Sequence, residues 1–177
     1  MTLHWQPILS YKKLVEVENS MKTSGIFSGI YIWGFSSEGG FIPYYAGKAG
    51  DICGRVCEHV NNLKGGAYTI YTKEALTDIK ANEAFYRPDS VEKRVQFAAD
   101  EYVKPGLQQH VNYMIDHFCF TYAPIPFDDF RKFGGEAERH ILNWLKTIIC
   151  NTRIGADCST TKKGNIELIK GKYLQVT

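Results

Sequence analysis

The sequence lacks a charge excess of either sign and any long apolar run. Its net charge is +2 over 177 residues, so the composition does not indicate an overall basic surface, although a local patch would suffice for nucleic acid. No apolar run follows a basic head in MTLHWQPILSYKK at the start, so neither a signal peptide nor a membrane span is expected. Internal repeats and low-complexity tracts are also lacking, which excludes a repeat architecture.

Cysteine usage does not indicate a disulfide framework. The count is odd and no secretion signal accompanies it, so reduced thiols in the cytoplasm are expected; the residues are Cys53, Cys57, Cys119, Cys150 and Cys158. Cys53 and Cys57 lie four residues apart and with His59 offer a zinc site for a protein-interaction domain. Zinc usually takes four ligands with closer cysteines, and both thiols fall on the apolar arc of a helix, which favours burial.

Hydrophobic residues make up 44 % of the chain, enough to pack the core of one domain over residues 1–177. Two strand-like runs, at 28–35 and 41–47, flank the turn sequence SSEGG, and this pattern predicts a β-hairpin. The run HFCFTYAPI at 117–125 predicts a third strand.

Helical periodicity is clearest after Asp51, a good N-terminal capping residue, and across the apolar face of 134–150. Other helices are predicted after Ser90 and in shorter segments, and the predicted helices cover 11–19, 52–62, 90–102, 107–115 and 134–150. A further short helix between loops is expected within 63–88. The expected fold class is therefore α/β of the α+β type, a small central antiparallel sheet of about three strands flanked by helices.

Short signatures in the hairpin and the helix after it resemble the GIY-YIG nuclease family. GIY at 29–31 matches the first signature, and YAG at 45–47 matches the second with Ala46 in place of the usual Ile or Val. The 13 residues between them make a gap slightly longer than usual. The resemblance covers 28–62 and, more weakly, 117–152. It implies a core of 25–62 and 117–152, a mostly helical insertion at 63–116 and a tail at 153–177.

The resemblance implies a site that acts on a phosphodiester. Tyr31 would activate or orient the attacking water, with positive charge from Lys48 and a metal ion promoting its ionisation. Tyr45 would orient the water or the phosphate, and Arg55 would fork onto phosphate oxygens. His59 would hold the phosphate or transfer a proton. The neighbouring Tyr44 matches no signature position and is expected to pack.

Two glutamates compete for the metal-binding role that the resemblance implies. Glu138 lies on the apolar face of its predicted helix, where an unpaired carboxylate is costly unless it binds metal, whereas Glu136 lies near the opposite side. Glu138 is therefore chosen. One carboxylate with phosphate oxygens and waters suits Mg²⁺, with Mn²⁺ as an alternative. Asn151 would support the site, as an asparagine after the glutamate helix does in the family.

The resulting expectation is a cytoplasmic, metal-dependent endonuclease with DNA as its partner and no membrane association. The chain is short, so a self-contained enzyme of restriction type is favoured over the catalytic half of a larger one. Each residue also has an ordinary structural reading, since tyrosines are common in strands and Arg55 with His59 can form a solvated helix face. The alternative function is a catalytically inactive nucleic-acid-binding module of the same fold.

Overall fold

The hairpin sequence forms the centre of a four-stranded antiparallel sheet. A computed structural model of the chain describes residues 2–37, 40–77, 84–86 and 106–145. The sheet contains β1 (Leu9–Ser10), β2 (Gly29–Ser37), β3 (Gly40–Ala49) and β6 (Phe118–Pro124), in the order β1-β6-β2-β3. A second, two-stranded sheet pairs β4 (Ile70–Tyr71) with β5 (Ala84–Tyr86). Strand β3 is therefore an edge strand of the main sheet.

Helices flank this sheet, so the predicted α+β fold class is confirmed. The described helices are α1 (Leu14–Ser24), α2 (Ile52–Lys64), α3 (Lys73–Thr77), α4 (Leu107–Asp116) and α5 (Phe127–Leu145). Helix α2 begins where predicted, since the Asp51 carboxylate accepts a hydrogen bond from the Gly54 backbone N–H at 3.0 Å and caps its first turn. Helix α5 begins seven residues before the predicted position, with Asp128 and Asp129 between Phe127 and Phe130 in its first turn.

Alternation along β2 separates two cores on opposite faces of the sheet. Tyr31, Trp33 and Phe35 face the layer that contains α1, α2 and α4. Ile30 and Ile32 face α5, where they pack with Ala137, Ile141 and Leu142. Residues that are neighbours along the chain therefore contact different helical layers.

A β-bulge in the hairpin places two tyrosines beside Trp33. Trp33 pairs with Tyr45, but the next residue, Gly34, pairs with Pro43, so Tyr44 is the extra residue on β3. The rings of Tyr44 and Tyr45 lie 4.5 and 6.2 Å from the Trp33 ring. Proline is accommodated because β3 is an edge strand and the ladder is interrupted there. Tyr44 is 6 % exposed, which confirms that it packs.

The segment predicted as an insertion, 63–116, contributes to the same core as α2. Ile70, Leu76, Leu107 and Met114 are buried against it, and the segment contains β4 and β5 as well as helices. The predicted helix at 90–102, Asn151 and the tail at 153–177 lie outside the described residues.

Close backbone packing at Gly34 gives a stability prediction. A Cβ atom at this position would lie 1.9 Å from the Ile42 carbonyl oxygen, whereas one at Gly50 would meet nothing within 4 Å. Gly34→Ala is expected to lower the free energy of unfolding by about 3 kcal/mol, because backbone atoms must move apart. Gly50→Ala, the matched control, should change it by less than about 1 kcal/mol. Urea unfolding of both variants checks this, and equal midpoints would contradict the described hairpin register.

Candidate active site

One side of helix α2 carries three polar residues toward the buried face of the hairpin. Arg55, His59 and Asn62 follow one another at helical spacing, so they lie along the same stripe. Each makes a hydrogen bond to a tyrosine hydroxyl, either that of Tyr31 on β2 or that of Tyr68 in the connection between α2 and β4. The stripe thus holds two phenols in place.

His59 lies between these two phenols. Its Nε2 is 2.8 Å from the Tyr31 hydroxyl, and its Nδ1 is 2.6 Å from the Tyr68 hydroxyl. His59 is 0 % exposed, so the alternative reading of Arg55 and His59 as a solvated helix face is wrong for His59. The rings that enclose it, with centroids 5.0 to 5.8 Å away, are those of Tyr31, Trp33, Tyr45 and Tyr68.

Burial sets the protonation states of His59 and Tyr31. Removal from water, with a smaller contribution from the Arg55 charge, lowers the pKa of His59 to about 3, so the imidazole is neutral near pH 7. Burial, followed by the nearby Tyr45, raises the pKa of Tyr31 well above its usual value. The hydrogen bond from Arg55 acts in the opposite direction but is the weaker influence. The expected lowering of the Tyr31 pKa by neighbouring cations is therefore outweighed by burial in the free protein.

Arg55 is the cation beside Tyr31, a place that the sequence analysis gave to Lys48. The Arg55 Nε–H donates to the Tyr31 hydroxyl at 3.4 Å, and Nη1 forms an ion pair with Glu58. The Arg55 side chain is 36 % exposed and that of Glu58 is 52 % exposed. Exposed ion pairs contribute little stability, so Glu58 is readily exchanged for another anion at this guanidinium.

Gly47 brings the Tyr31 hydroxyl close to the edge of the sheet. It pairs with Tyr31 across β2 and β3. A Cβ atom at position 47 would lie 2.9 Å from the Tyr31 hydroxyl oxygen and 2.8 Å from Cε1 of Tyr45. Only glycine leaves room for both phenols here. These close contacts explain why the last residue of the YAG sequence is glycine.

Lys48 and Glu138 belong to the opposite layer. Lys48 pairs with Ile30, and its Nζ lies 3.3 Å from where a Cβ atom of Gly135 would be, on α5. Glu138 is one turn further along α5 and half-buried, whereas Glu136 is exposed, as the helical-face argument expects. The structure thus brings together Tyr31, Tyr45, Arg55 and His59, and places Lys48 near the helix face of Glu138. The edge strand separates the two groups, with Gly47 facing one and Lys48 the other.

The acidic and thiol groups of the described segments limit how a metal can be held. No three His, Cys, Asp or Glu side chains within these segments are arranged to enclose one, and Glu138 has no ion pair there. A single half-buried carboxylate fits Mg²⁺, which keeps several waters and takes the rest of its ligands from a phosphate.

The thiols adopt different environments from those expected. Cys53 is buried beside Met21, but Cys57 is exposed, so the expected burial is confirmed for the first and wrong for the second. Because the Cys57 side chain projects from the outer side of α2, it does not share the apolar arc. His59 cannot join these thiols at a metal while both its ring nitrogens contact tyrosines.

Tyr68 is a site residue that the sequence analysis missed. It is half-buried, and its ring lies 5.5 Å from that of Trp33 and 6.0 Å from that of Tyr44. Nothing in the motif spacing marks it, because it lies in the segment that the resemblance implies is an insertion. The only available signal was its distance of nine residues from His59, just past the end of the helix.

The buried imidazole predicts a pH dependence of stability. His59 has an ordinary pKa of about 6.5 when unfolded and about 3 when folded, so the unfolded chain binds the proton first. Stability is then fully present above about pH 6.5 and falls as the pH drops toward 3, by up to about 1.4 kcal/mol per pH unit from this group. His59→Gln should remove that component between pH 6.5 and 4.5. Urea unfolding across this range checks it, and parallel pH profiles for the two proteins would contradict it.

Comparison with known proteins adds no further residue to the candidate site. No family model, curated protein or solved structure matches the chain. The resemblance to GIY-YIG nucleases is therefore carried by the residues of the chain itself. None of the described helices is long and apolar enough to cross a membrane.

Proposed function

We propose that this protein is a metal-dependent endonuclease of the GIY-YIG type that hydrolyses DNA phosphodiester bonds. The observation that carries the proposal is the Tyr31 hydroxyl, which contacts both Arg55 and His59 and reaches the edge strand over Gly47. A phenol held by a guanidinium and a neutral imidazole is an unusual use of buried polar groups in a core. Tyr31 is itself 1 % exposed, so a substrate would reach its hydroxyl beside the Arg55 side chain, which is 36 % exposed.

Arg55 is proposed to bind the scissile phosphate. Its Nε remains on Tyr31 while the outer nitrogens exchange the exposed Glu58 for phosphate oxygens. Charge-assisted, forked hydrogen bonds of this kind orient a phosphate as well as attract it. Lys48, exposed on the other side of the edge strand, adds a second positive charge for the same DNA strand.

Burial raises the pKa of Tyr31 in the free protein, so the phenol is proposed first to lose its own proton to solvent in the DNA complex. As phenolate, Tyr31 then orients the attacking water and takes its proton. The water oxygen then forms a bond to phosphorus while the bond to the leaving oxygen breaks, and solvent protonates that oxygen. Tyr45, half-buried with its ring 6.1 Å from that of Tyr31, limits where the water sits. His59 is completely buried, so its proposed role is to hold Tyr31 and not to contact the phosphate.

Glu138 is proposed as the protein ligand of Mg²⁺ or Mn²⁺. When bound, such an ion stabilises negative charge that develops on the phosphate and promotes ionisation of nearby groups. Glu138 suits this role because its carboxylate is half-buried and has no ion pair among the described residues.

Cleavage of supercoiled plasmid DNA tests the proposal. Purified protein with Mg²⁺ or Mn²⁺ is expected to give nicked or linear product, and EDTA should prevent it. Absence of cleavage over DNA of mixed sequence, together with salt-dependent DNA binding, would instead support the inactive binding module. Absence of both cleavage and binding would contradict the assignment of DNA as partner.

A further inference from the structure

We propose that Arg131, Lys48 and Arg139 form a row of cations along helix α5 that binds the phosphates of one DNA strand. The role of this cation row rests on the proposed nuclease function, because the row is the surface that leads the DNA backbone past Glu138. All three cations are exposed. The two arginines lie outside the signature sequences that suggested the other site residues.

Helical spacing aligns the members of the cation row. Arg131, Gly135 and Arg139 follow one another at intervals of four residues, so they lie along the same side of α5. The middle position is a glycine, and Lys48 of β3 fills it, since its Nζ lies 3.3 Å from where a Cβ atom of Gly135 would be. The row is about 12 Å long, and over that length one strand of a duplex presents about three to four phosphates.

The cation row lies on the side of α5 that borders the edge strand. Its middle member, Lys48, comes from β3, which has no neighbouring strand beyond it. Phe133 and His140 lie about 140° or more around the helix from Gly135, where they border a cavity together with Leu3 of the N-terminal segment. The N-terminal segment therefore lies along a different side of α5 and leaves the row accessible.

The two arginines are unpaired although acids lie close to them along the helix. Asp128 precedes Arg131 by three residues and Glu136 precedes Arg139 by three, a spacing that permits ion pairs. Neither pair is present in the described part of the chain. Lysines in and just before α1, in contrast, each pair with an acid at 2.6 to 3.4 Å; they are Lys12, Lys13 and Lys22. The guanidinium groups on α5 therefore keep their donors for forked contacts to phosphate.

The cation row passes beside the proposed metal ligand. Glu138 follows Gly135 by three residues and is therefore its neighbour on the helix surface. A carboxylate alone repels a phosphate, and the adjacent cations offset that charge. Contacts to phosphate position the backbone without reading the bases, so a strand bound along the row brings a phosphate next to Glu138 whatever its sequence.

DNA binding in the absence of cleavage tests the cation row. Fluorescence anisotropy of a labelled duplex of mixed sequence is measured in EDTA over a range of salt concentrations. Arg131→Gln and Arg139→Gln are each expected to weaken binding about 5- to 10-fold at about 0.1 M salt. Each should also reduce the slope of log affinity against log salt by about 0.9, the value for one phosphate contact. The double variant should reduce it by about 1.8.

Lys12→Gln is the matched control, because it also removes one exposed positive charge. Lys12 lies just after β1, at the opposite edge of the sheet, and pairs with Asp116. Its substitution should leave the affinity within about twofold of the wild type, as is usual for surface substitutions, and the salt slope unchanged. Urea unfolding should be unaltered in all three single variants, which shows that each folds.

Wild-type affinity and salt slope in both arginine variants would overturn the inference. Equal losses in Lys12→Gln would also overturn it, since net charge and not this surface would then attract DNA. If the wild type binds DNA but cleaves no plasmid with Mg²⁺ or Mn²⁺, the nuclease proposal fails, while losses confined to the arginine variants still support the cation row. If the wild type binds no DNA, both proposals fail.

Discussion

Tyr31→Phe is expected to lower the rate of DNA cleavage by about 10²- to 10⁴-fold, the range for loss of a positioned acid or base. The phenyl ring keeps the packing against Tyr45, but the oxygen that contacts Arg55 and His59 is lost. The buried Nε2 of His59 is then left without its hydrogen-bond partner, which should cost about 1–3 kcal/mol of stability. The variant therefore separates chemistry from folding, with single-turnover plasmid cleavage and urea unfolding as the two measurements.

Tyr122→Phe is the matched control for this substitution. Tyr122 pairs with Tyr31 on the neighbouring strand β6 and packs in the same buried cluster, 6 % exposed. Removal of its hydroxyl should leave cleavage within about twofold of the wild type, since it lies outside the group of residues around His59 and ordinary substitutions have small effects. Equal losses in the two variants would mean that packing, and not the Tyr31 oxygen, limits the reaction.

Glu138→Gln is expected to abolish metal-dependent cleavage, a loss of at least about 10²-fold. Glutamine keeps the size of the side chain but removes the charge that a hydrated Mg²⁺ requires. Glu136→Gln, two residues earlier on the exposed side of α5, should keep most of the activity. Cleavage rates as a function of Mg²⁺ concentration measure both.

The opposite ranking of the two glutamates would contradict the assignment. Glu136 borders a surface cavity that is also lined by Leu3, Phe133, Ala137 and His140. A metal held there would act on a different part of the surface from Tyr31. Retained activity in Glu138→Gln with loss in Glu136→Gln would therefore relocate the site.

Local sequence rules predicted the elements that carry the site. The hairpin follows from two apolar runs around SSEGG, and helix α2 follows from the Asp51 cap and its apolar face, as observed. The choice of Glu138 over Glu136 needed only helical geometry, and their burial agrees with it. Residues in one helix or one hairpin have relative positions that the chain itself fixes, so their faces can be assigned in advance.

Tertiary packing decided what the sequence could not predict. The burial of His59 depends on rings from β2, β3 and the connection after α2, and no periodicity in α2 contains that information. The same is true of Tyr68, which contacts Nδ1 of His59 from the segment expected to be an insertion. The bulge at Tyr44 likewise arises from pairing with β2, because two adjacent tyrosines in an ideal strand would face opposite sides.

Tyr31 and Glu138, from two layers separated by the edge strand, are proposed to act on one phosphate. Single-turnover cleavage by the wild type, Tyr31→Phe, Glu138→Gln and the double variant tests this most directly. Groups that act as a unit lose activity non-additively, so the double variant is predicted to be about as slow as the slower single variant. A double loss equal to the product of the two single losses would contradict a shared site, as would a wild type without metal-dependent cleavage.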